Sequence, residues 1–550
     1  MAGASWAKGE FSTLEGEMRA TAFLLDILAA EGVRHVFTAA GGPGESLRGA
    51  VQDAAVAVVP AAQAAGAACM ADGYARASGR FGACLAGDGS EAAAMAGAVA
   101  TARADGSPLL CVAARGGGLS LLAPAATASF AAATPDAMPQ QLRAGLARML
   151  AAPRGPVLLG LPPDAGGGGE AGDAVPWQPL DAATYRPRFV DAVAVERLWR
   201  ILVPDGGGST PARVAVLAGA GVEKAGAVRR LIAFAEQFEL PVATTVRGKG
   251  AFPGDHRLCL GVCDGGGRAA GALLAQPLDV LILLGCNLSG WDAPLGATLA
   301  APGRTLVQVD ADPAAIGRAL PVDVPVVGDC RAALELMLEG GSARINRLRA
   351  GNQARAAWAR GLREAALSDA ASLAPSAPDA PPVPMAVAAA LRRALPRDGC
   401  LVVDAFALRP CFTHGFMAVR PCAYFTPAPC APAGWAVAAA VGVKAAVGPR
   451  AVACVTDARG LLALGTELAT AVHCGLPVLV VALVGEDAAA HPDFTAFGRS
   501  LGARGLAVAR ADALEAALVE GLSGAGSCVA AVHCALGDRA GPGVVSGGAY

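Results

Sequence analysis

Short apolar runs alternate with longer alanine-rich segments along the whole of this 550-residue chain. In the first third of the chain, the runs that predict strands lie at His35–Phe37, Ala83–Ala86, Leu109–Ala113 and Pro156–Leu161. A helical pattern of apolar positions at Thr21–Glu31 precedes the first of them. Strand-length apolar runs separated by helix-length segments are typical of a parallel sheet covered by helices on both faces. This region therefore predicts a doubly wound α/β domain.

The same alternation recurs twice. The second set of predicted strands is Val214–Leu217, Pro241–Thr245, Asp279–Leu284 and Thr305–Val309, and the third is Cys400–Val403, Ala451–Val455, Pro477–Leu483 and Ser527–His533. Linkers rich in Gly, Pro, Ala or Ser lie at Pro162–Pro179 and Ser372–Pro384. We therefore predict three consecutive doubly wound α/β domains with parallel sheets, at residues 1–165, 185–345 and 380–540.

The charge and cysteine content exclude several classes of protein. The net charge is −2, so nothing points to nucleic acid or an anionic membrane surface. The long uncharged stretches Gly116–Pro135 and Pro421–Val443 are interrupted by Gly or Pro, which argues against membrane spans. The N-terminus carries Glu10, Glu15 and Glu17 and has no apolar signal region. Fifteen scattered cysteines without a CxxC pair predict buried thiols in a reducing cytoplasm.

The segment Met70–Gly79 reads M-A-D-G-Y-A-R-A-S-G and resembles a segment of the thiamine diphosphate (ThDP) dependent enzymes. It is most similar to the acetohydroxyacid synthase (acetolactate synthase) large-subunit branch. Further segments similar to that branch are Gly248–Pro253, Asp310–Pro313, Pro321–Asp329 and Glu467–Val472. The resemblance implies pyrimidine-binding, central and diphosphate-binding domains in that order. It also implies a homodimer or homotetramer, because relatives pair their first and third domains across subunits.

The carboxylate that activates the coenzyme in this family is missing. The family segment H-E-Q-G-A-A-H reads Gln63–Cys69 here, and the position of the activating Glu is Ala64. That Glu hydrogen-bonds the aminopyrimidine ring and creates a base beside the reacting carbon. Alanine offers neither a proton acceptor nor a charge, although one branch, glyoxylate carboligase, works with an aliphatic residue there. The catalytic residues of this chain are therefore left unknown.

The motifs that hold Mg²⁺ and the diphosphate in the family are eroded as well. The G-D-G motif reads Thr456–Ala458, and the Asn pair that follows it falls on Val484 and Gly485. The family's V-G-Q-H and G-x-M-G segments read Ala405–Leu408 and Ala431–Gly434. Asp457 is then a doubtful metal ligand, and we expect it to cap the next helix instead. These losses make ThDP and Mg²⁺ doubtful cofactors.

The central domain keeps more of the family pattern. Acetohydroxyacid synthase binds FAD there through a glycine-rich strand–turn–helix segment. The matching positions in this chain are Gly219, Ala220, Gly221, Thr244, Thr245, Gly285 and Asp310. The arginine contacts of the family are lost, since G-A-R-F-D-D-R reads Gly285–Trp291. FAD is thus a candidate cofactor, and the alternative is that these glycines serve only tight turns and packing.

Three hypotheses for the function stay open at this point. The first is a diverged acetolactate-synthase-like protein that no longer performs standard ThDP chemistry, either as a repurposed, FAD-binding enzyme or as a catalytically silent pseudoenzyme. The second is a ThDP-dependent carboligase or decarboxylase that acts on pyruvate-like 2-oxo acids without the activating Glu. The third is a regulatory or structural subunit of an active homologue. A small-molecule ligand is compatible with each hypothesis, and the sequence does not identify a substrate.

Overall fold

The computed structural model describes residues 24–39, 55–113, 118–161, 177–180, 189–204, 213–264, 273, 276–299, 301, 303–371, 377–485 and 492–535. They form three six-stranded sheets, and all neighbouring strands within each sheet are parallel. Among the described residues, helices lie between most successive strands, which confirms the predicted fold class. Residues 162–176 of the predicted linker Pro162–Pro179 and the stretch 536–540 lie outside the described residues. The predicted domain boundaries stay predictions.

The first sheet has the strand order β2-β1-β3-β4-β6-β5. A helical segment at 24–30 precedes it. Its strands are β1 (His35–Ala39), β2 (Ala57–Ala61), β3 (Gly82–Ala86), β4 (Leu109–Ala113), β5 (Ala128–Ala131) and β6 (Val157–Gly160). Its helices are α1 (Ala64–Ser78), α2 (Gly89–Asp105), α3 (Gly118–Leu122) and α4 (Met138–Leu150). Strands β3 and β4 are buried at every position, as a sheet covered on both faces requires.

The central sheet has the order β12-β11-β10-β7-β8-β9. Its strands are β7 (Val214–Ala218), β8 (Val242–Thr244), β9 (Cys259–Val262), β10 (Val280–Leu284), β11 (Thr305–Asp310) and β12 (Val324–Val327). The helices are α5 (Ala192–Leu202), α6 (Ala220–Lys224), α7 (Val228–Phe238), α8 (Leu295–Leu299), α9 (Cys330–Ala343), α10 (Ile345–Ala350) and α11 (Asn352–Ala371). Leu348, Ala359 and Leu362 join the central core, so α10 and α11 pack on this domain.

The third sheet has the order β14-β13-β15-β16-β18-β17. Its strands are β13 (Cys400–Val403), β14 (Tyr424–Phe425), β15 (Val452–Asp457), β16 (Leu479–Val484), β17 (Arg504–Val508) and β18 (Cys528–His533). The helices are α12 (Pro384–Ala394), α13 (Arg409–Gly415), α14 (Trp435–Val447), α15 (Ala458–Leu464), α16 (Glu467–His473), α17 (Phe494–Ser500) and α18 (Ala511–Ser523). All fifteen cysteines are free thiols, most of them buried. Across the described part of the chain, no helix is both long and apolar enough to span a membrane.

Two helices from different domains pack directly against each other in the core. Helix α1 of the first domain crosses α14 of the third, and both are almost entirely buried. A Cβ atom on Gly73 would lie 2.2 Å from the carbonyl oxygen of Ala439. On the facing helix, a Cβ on Gly442 would lie 1.8 Å from the carbonyl oxygen of Met70. The backbones therefore touch directly, and neither glycine can carry a side chain without separating the helices.

This crossing generates a stability prediction. Gly73→Ala should destabilise the fold by about 2–3 kcal/mol, because the added methyl meets rigid backbone. Gly361→Ala in α11 is the matched control, since nothing lies within 4 Å of its added Cβ. The control should stabilise the fold by about 0.5–1 kcal/mol through helix propensity. Guanidinium unfolding measures both variants, and similar changes in both would contradict the close crossing.

Candidate functional site

The first turn of α1 carries Ala64, the position of the activating carboxylate in the family that the sequence resembles. The N-cap residue Gln63 is extended and its side chain does not cap the helix. Glu467 of α16 in the third domain binds the turn that leads into this helix. Its carboxyl oxygens accept hydrogen bonds from the backbone N–H groups of Ala62 at 2.9 Å and Gln63 at 3.0 Å. A carboxyl group thus lies at this helix N-terminus after all, supplied from another domain.

Glu467 is fully buried, with an exposed fraction of 0 %. Burial raises the pKa of Glu467 to about 7, against the lowering effect of its backbone hydrogen bonds. Room for the carboxyl comes from Gly66, whose Cβ would lie 1.9 Å from Glu467 Oε1. The sequence showed Glu467 only as part of a family segment and gave it no role. In the sequence, only Gly66, three positions after Gln63, indicated that another side chain could approach this turn.

Two further acidic side chains lie at the C-terminal ends of β13 and β15 in the third domain. Asp404 follows β13 and is buried, and Asp457 ends β15. Asp404 Oδ2 accepts the N–H of Ala436 at 2.9 Å, while Oδ1 has no hydrogen-bond partner among the described residues. Burial raises the pKa of Asp404 to about 7. An unpaired buried carboxyl oxygen is costly unless another group, such as a cation, approaches it.

Asp457 caps α15 through Oδ1, which accepts the N–H of Gly460 at 2.8 Å. This confirms the predicted cap. The other oxygen, Oδ2, lies 3.5 Å from the exposed guanidinium of Arg459. Val484, which stands where the family has an Asn ligand, is buried in β16 and has no donor atom.

The two carboxyl groups of this site fit Mg²⁺ if phosphate oxygens and water complete its coordination. No cluster of three His, Cys, Asp or Glu side chains that could bind a metal occurs within the described ranges. Magnesium commonly uses one or two protein carboxylates and completes its shell with phosphate oxygens and water. Asp457 and Asp404, at the ends of neighbouring strands, supply these two carboxylates. Both lie at the carboxyl edge of the sheet, where such folds bind ligands.

An aromatic contact links this edge to the central domain. The rings of Phe406 and Trp291 lie 6.1 Å apart, and the guanidinium of Arg409 lies 4.2 Å from the Trp291 ring. Trp291 Nε1 donates to the carbonyl of Pro427 at 2.7 Å. The segment that replaces the family's V-G-Q-H therefore packs against the central domain through an aromatic side chain.

The predicted flavin-binding positions of the central domain come together at the carboxyl ends of adjacent strands. Gly219, Ala220 and Gly221 follow β7, and Gly285 follows β10 with φ +63°. A Cβ on Gly219 would lie 2.3 Å from the Gly285 carbonyl oxygen, and one on Gly221 would lie 2.7 Å from its Cα. These glycines allow two turns to pack against each other.

The remaining predicted positions frame the same edge of the central sheet. Thr244 ends β8, and Thr245 accepts the N–H of Gly248 through its hydroxyl at 3.1 Å. Asp310 ends β11 and accepts the N–H of Asp312 at 3.0 Å. Burial raises the pKa of Asp310. All seven positions therefore lie along one sheet edge.

Arg247 lies in the loop after β8 and contacts the segment that aligns with the family's arginines. Its guanidinium donates to Ser289 Oγ at 3.2 Å and to Asn287 Oδ1, and lies 3.6 Å from Asp292. It also donates to the carbonyl of Ala104 at 2.9 Å in the first domain. Arg247 was not predictable as a site residue from sequence, because it lies outside the segment aligned with the lost arginines.

Asp105, at the end of α2, is the meeting point of all three domains. Its carboxyl group lies 2.6 Å from Arg76 and 3.2 Å from Arg247 and accepts the N–H of Ala428 at 2.8 Å. Burial alone would raise the pKa of Asp105, but Arg76 and Arg247 hold it below its ordinary value. Arg76 also pairs with the buried Asp72 at 2.7 Å. This buried network joins the first, central and third domains.

With this geometry established, comparisons with known proteins identify the family. Sequence models of the thiamine pyrophosphate enzymes match residues 18–117 as the N-terminal TPP binding domain, 209–337 as the central domain and 411–486 as the C-terminal TPP binding domain. Thiamine pyrophosphate is another name for ThDP. The chain belongs to the ThDP-dependent enzyme family, within its acetolactate-synthase-like branch.

Several acetolactate synthases are similar to the chain. A probable acetolactate synthase large subunit of Methanocaldococcus jannaschii is 31% identical over 58% of this chain and 56% of the relative. An acetolactate synthase large subunit of Corynebacterium glutamicum is 31% identical over 50% and 45%. The acetolactate synthase isozyme 3 large subunit of Escherichia coli is 26% identical over 75% and 73%. The chain thus spans about half the length of the first two relatives.

These comparisons correct one expectation from the sequence. The eroded motifs made ThDP and Mg²⁺ doubtful, but both TPP-binding domains match their family models and the relatives are acetolactate synthases. The findings point to ThDP as the cofactor. The expectation was wrong because it weighed single ligand positions, whereas Asp404 and Asp457 still place carboxyl oxygens at the relevant sheet edge.

The three-domain network generates a second prediction. Asp105→Asn should destabilise the protein by about 3 kcal/mol, because it leaves two buried guanidinium groups without their shared anion. Asp255→Asn is the matched control, since Asp255 forms an exposed pair with Arg397 at 2.6 Å. Thermal unfolding followed by calorimetry measures both, and the control should show no measurable change. Equal stability of the Asp105 variant would contradict the assigned network.

Proposed function

We propose that this chain is a ThDP-dependent carboligase or decarboxylase of the acetolactate synthase type that acts on pyruvate-like 2-oxo acids without an activating Glu. The observation that carries the proposal is Asp457 at the carboxyl end of β15, with its neighbour Asp404 one strand away. The order of the three family matches supports it. A cytoplasmic location and a homo-oligomeric state are part of the same proposal.

The residues that would hold the coenzyme follow from the site. Asp457 and the unpaired oxygen of Asp404 would contact the cation that neutralises the diphosphate. The first turn of α1 would face the pyrimidine, with the apolar Ala64 in place of a proton acceptor. Bound ThDP supplies the stabilisation of negative charge on carbon that decarboxylation of a 2-oxo acid requires. The side chains of this chain would bind it, orient it and exclude water.

A second candidate is a ThDP-binding homologue without catalytic activity. The methyl group of Ala64 favours it, because Ala64 is buried with an exposed fraction of 6 % and carries no group that can move a proton. Turnover of pyruvate by the wild-type protein with saturating ThDP and Mg²⁺ separates the two candidates. Carbon dioxide or acetolactate formation supports the enzyme, and coenzyme binding without turnover supports the silent homologue.

For the central domain, we propose that the glycine turns serve packing. The close approach of Gly219 and Gly221 to Gly285 supports this role, as do the contacts of Arg247. FAD binding at Gly219, Ala220, Gly221, Thr244, Thr245, Gly285 and Asp310 is the competing proposal. A flavin absorbance spectrum in the purified protein would favour FAD, and a colourless protein would favour packing.

The proposed cation site generates a third prediction. Asp457→Ala should weaken Mg²⁺-dependent ThDP binding by at least about tenfold, because a cation ligand is lost. Asp493→Ala is the matched control, since Asp493 likewise caps a helix, accepting the N–H of Thr495 at 2.9 Å. Loss of the Asp457 cap should destabilise the fold by about 1 kcal/mol.

Titration calorimetry with ThDP and Mg²⁺ measures binding, and thermal unfolding measures the loss of the cap. Only the Asp457 variant should lose coenzyme affinity. Unchanged affinity in that variant, with wild-type binding intact, would contradict the assigned cation ligand. Absence of ThDP binding by the wild-type protein would contradict the proposed function itself.

A further inference from the structure

Glu467 and Thr470 form a hydrogen-bond network with an unusual proton count. Thr470 Oγ1 lies 3.0 Å from the carbonyl oxygen of Pro60 and 3.1 Å from Glu467 Oε2. A hydroxyl group has one proton and can donate to only one of these two acceptors. If Glu467 were ionised, one of the two contacts would bring two acceptors together. If Oε2 carries a proton, Glu467 donates to Thr470 and Thr470 donates to Pro60.

The surroundings of Glu467 also favour its neutral form. The titratable or charged groups on the elements packed around it are Cys69, Asp72, Tyr74 and Arg76 of α1, Lys444 of α14, Arg459 of α15 and His473 of its own helix; β2 has none. None of the hydrogen bonds or ion pairs of Glu467 in the described structure involves these groups. An ionised Glu467 would therefore be a buried charge without a paired lysine or arginine among the described residues, which is unfavourable.

We propose that Glu467 is a positioning residue that holds a proton at the seam between the first and third domains and thereby fixes the turn that carries Ala64. Its link to the coenzyme rests on the proposed function, in which this turn faces the pyrimidine. The protonated carboxyl binds the N–H groups of Ala62 and Gln63 and, through Thr470, the carbonyl of Pro60. Deprotonation breaks one link of this network and loosens the turn.

The direct test detects the proton by infrared spectroscopy of the protein without coenzyme. The C=O stretching band of a protonated carboxyl should be present in the wild-type protein below neutral pH and disappear as pH rises through about 7. In the difference spectrum against Glu467→Gln, this band should be missing from the variant. Glu515→Gln is the matched control, because Glu515 is an exposed carboxylate paired with Arg393 at 2.6 Å. A wild-type difference spectrum with no such band at pH 6 would overturn the proposal.

Thr470→Val tests the direction of the network and does not depend on the fold of the Glu467 variant. If Glu467 donates to Thr470, removing the hydroxyl takes an acceptor from the protonated form and shifts the infrared midpoint to lower pH. If Thr470 instead donates to an ionised Glu467, the midpoint shifts to higher pH. The first result supports the proton assignment, and the second overturns it.

Hydrogen exchange tests the positioning role. Amide exchange at Ala62 and Gln63 in Glu467→Gln should be about tenfold faster than in the wild-type protein, because the amide group replaces one acceptor oxygen by a donor. Exchange at the same amides should stay unchanged in Glu515→Gln, and unchanged exchange in the Glu467 variant would overturn the positioning role. No ThDP binding at any pH would contradict the proposed function, while the infrared and exchange results would still decide the role of Glu467.

Discussion

The direct backbone contact between α1 and α14 sets the position of the turn that carries Ala64. Gly73 and Gly442 let these buried helices cross without side chains between them. The crossing fixes the position of the first turn of α1 relative to the third domain. In that position, Glu467 accepts hydrogen bonds from the N–H groups of Ala62 and Gln63. A wider crossing would leave the backbone N–H groups of Ala62 and Gln63 and the carboxyl group of Glu467 without these hydrogen bonds, which is unfavourable for buried polar groups.

The four inner strands of every sheet were predictable from the sequence, and the two edge strands of every sheet were not. The missed strands are β2 and β5, β9 and β12, and β14 and β17. Inner parallel strands are covered on both faces and read as continuous apolar runs, as β10 and β16 show. Edge strands such as β5 and β17 are partly exposed, and β14 has only two residues. The other three are apolar runs interrupted by Pro60 in β2, Gly261 in β9 and Pro325 in β12. In both cases the local pattern does not separate an edge strand from a loop.

The site was only partly predictable for a different reason. The resemblance located Ala64 and Asp457, because both lie inside segments with a recognisable order of residues. Two further carboxyl groups decide the environment of these residues. Glu467 lies about 400 residues after the first turn of α1, and Asp404 lies outside every motif quoted from the family. Such contacts depend on how three sheets pack, which one-dimensional spacing does not contain. For the same reason, the loss of individual ligand residues from the family motifs was a poor guide to the cofactor.

Two kinds of carboxyl group hold the domain seams, and they respond to pH in opposite directions. Glu467 and Glu223 accept backbone N–H groups from another domain, from Gln63 and Cys422 respectively, and burial raises the pKa of each to about 7. Their contribution to stability is complete below the pKa of an unfolded Glu and is lost as pH rises through about 7. Asp105, whose pKa is lowered by two arginines, contributes above the pKa of an unfolded Asp and loses that contribution as pH falls. We therefore expect these three carboxyl groups together to stabilise the domain arrangement most in mildly acidic solution, where Glu467 and Glu223 are neutral and Asp105 is ionised.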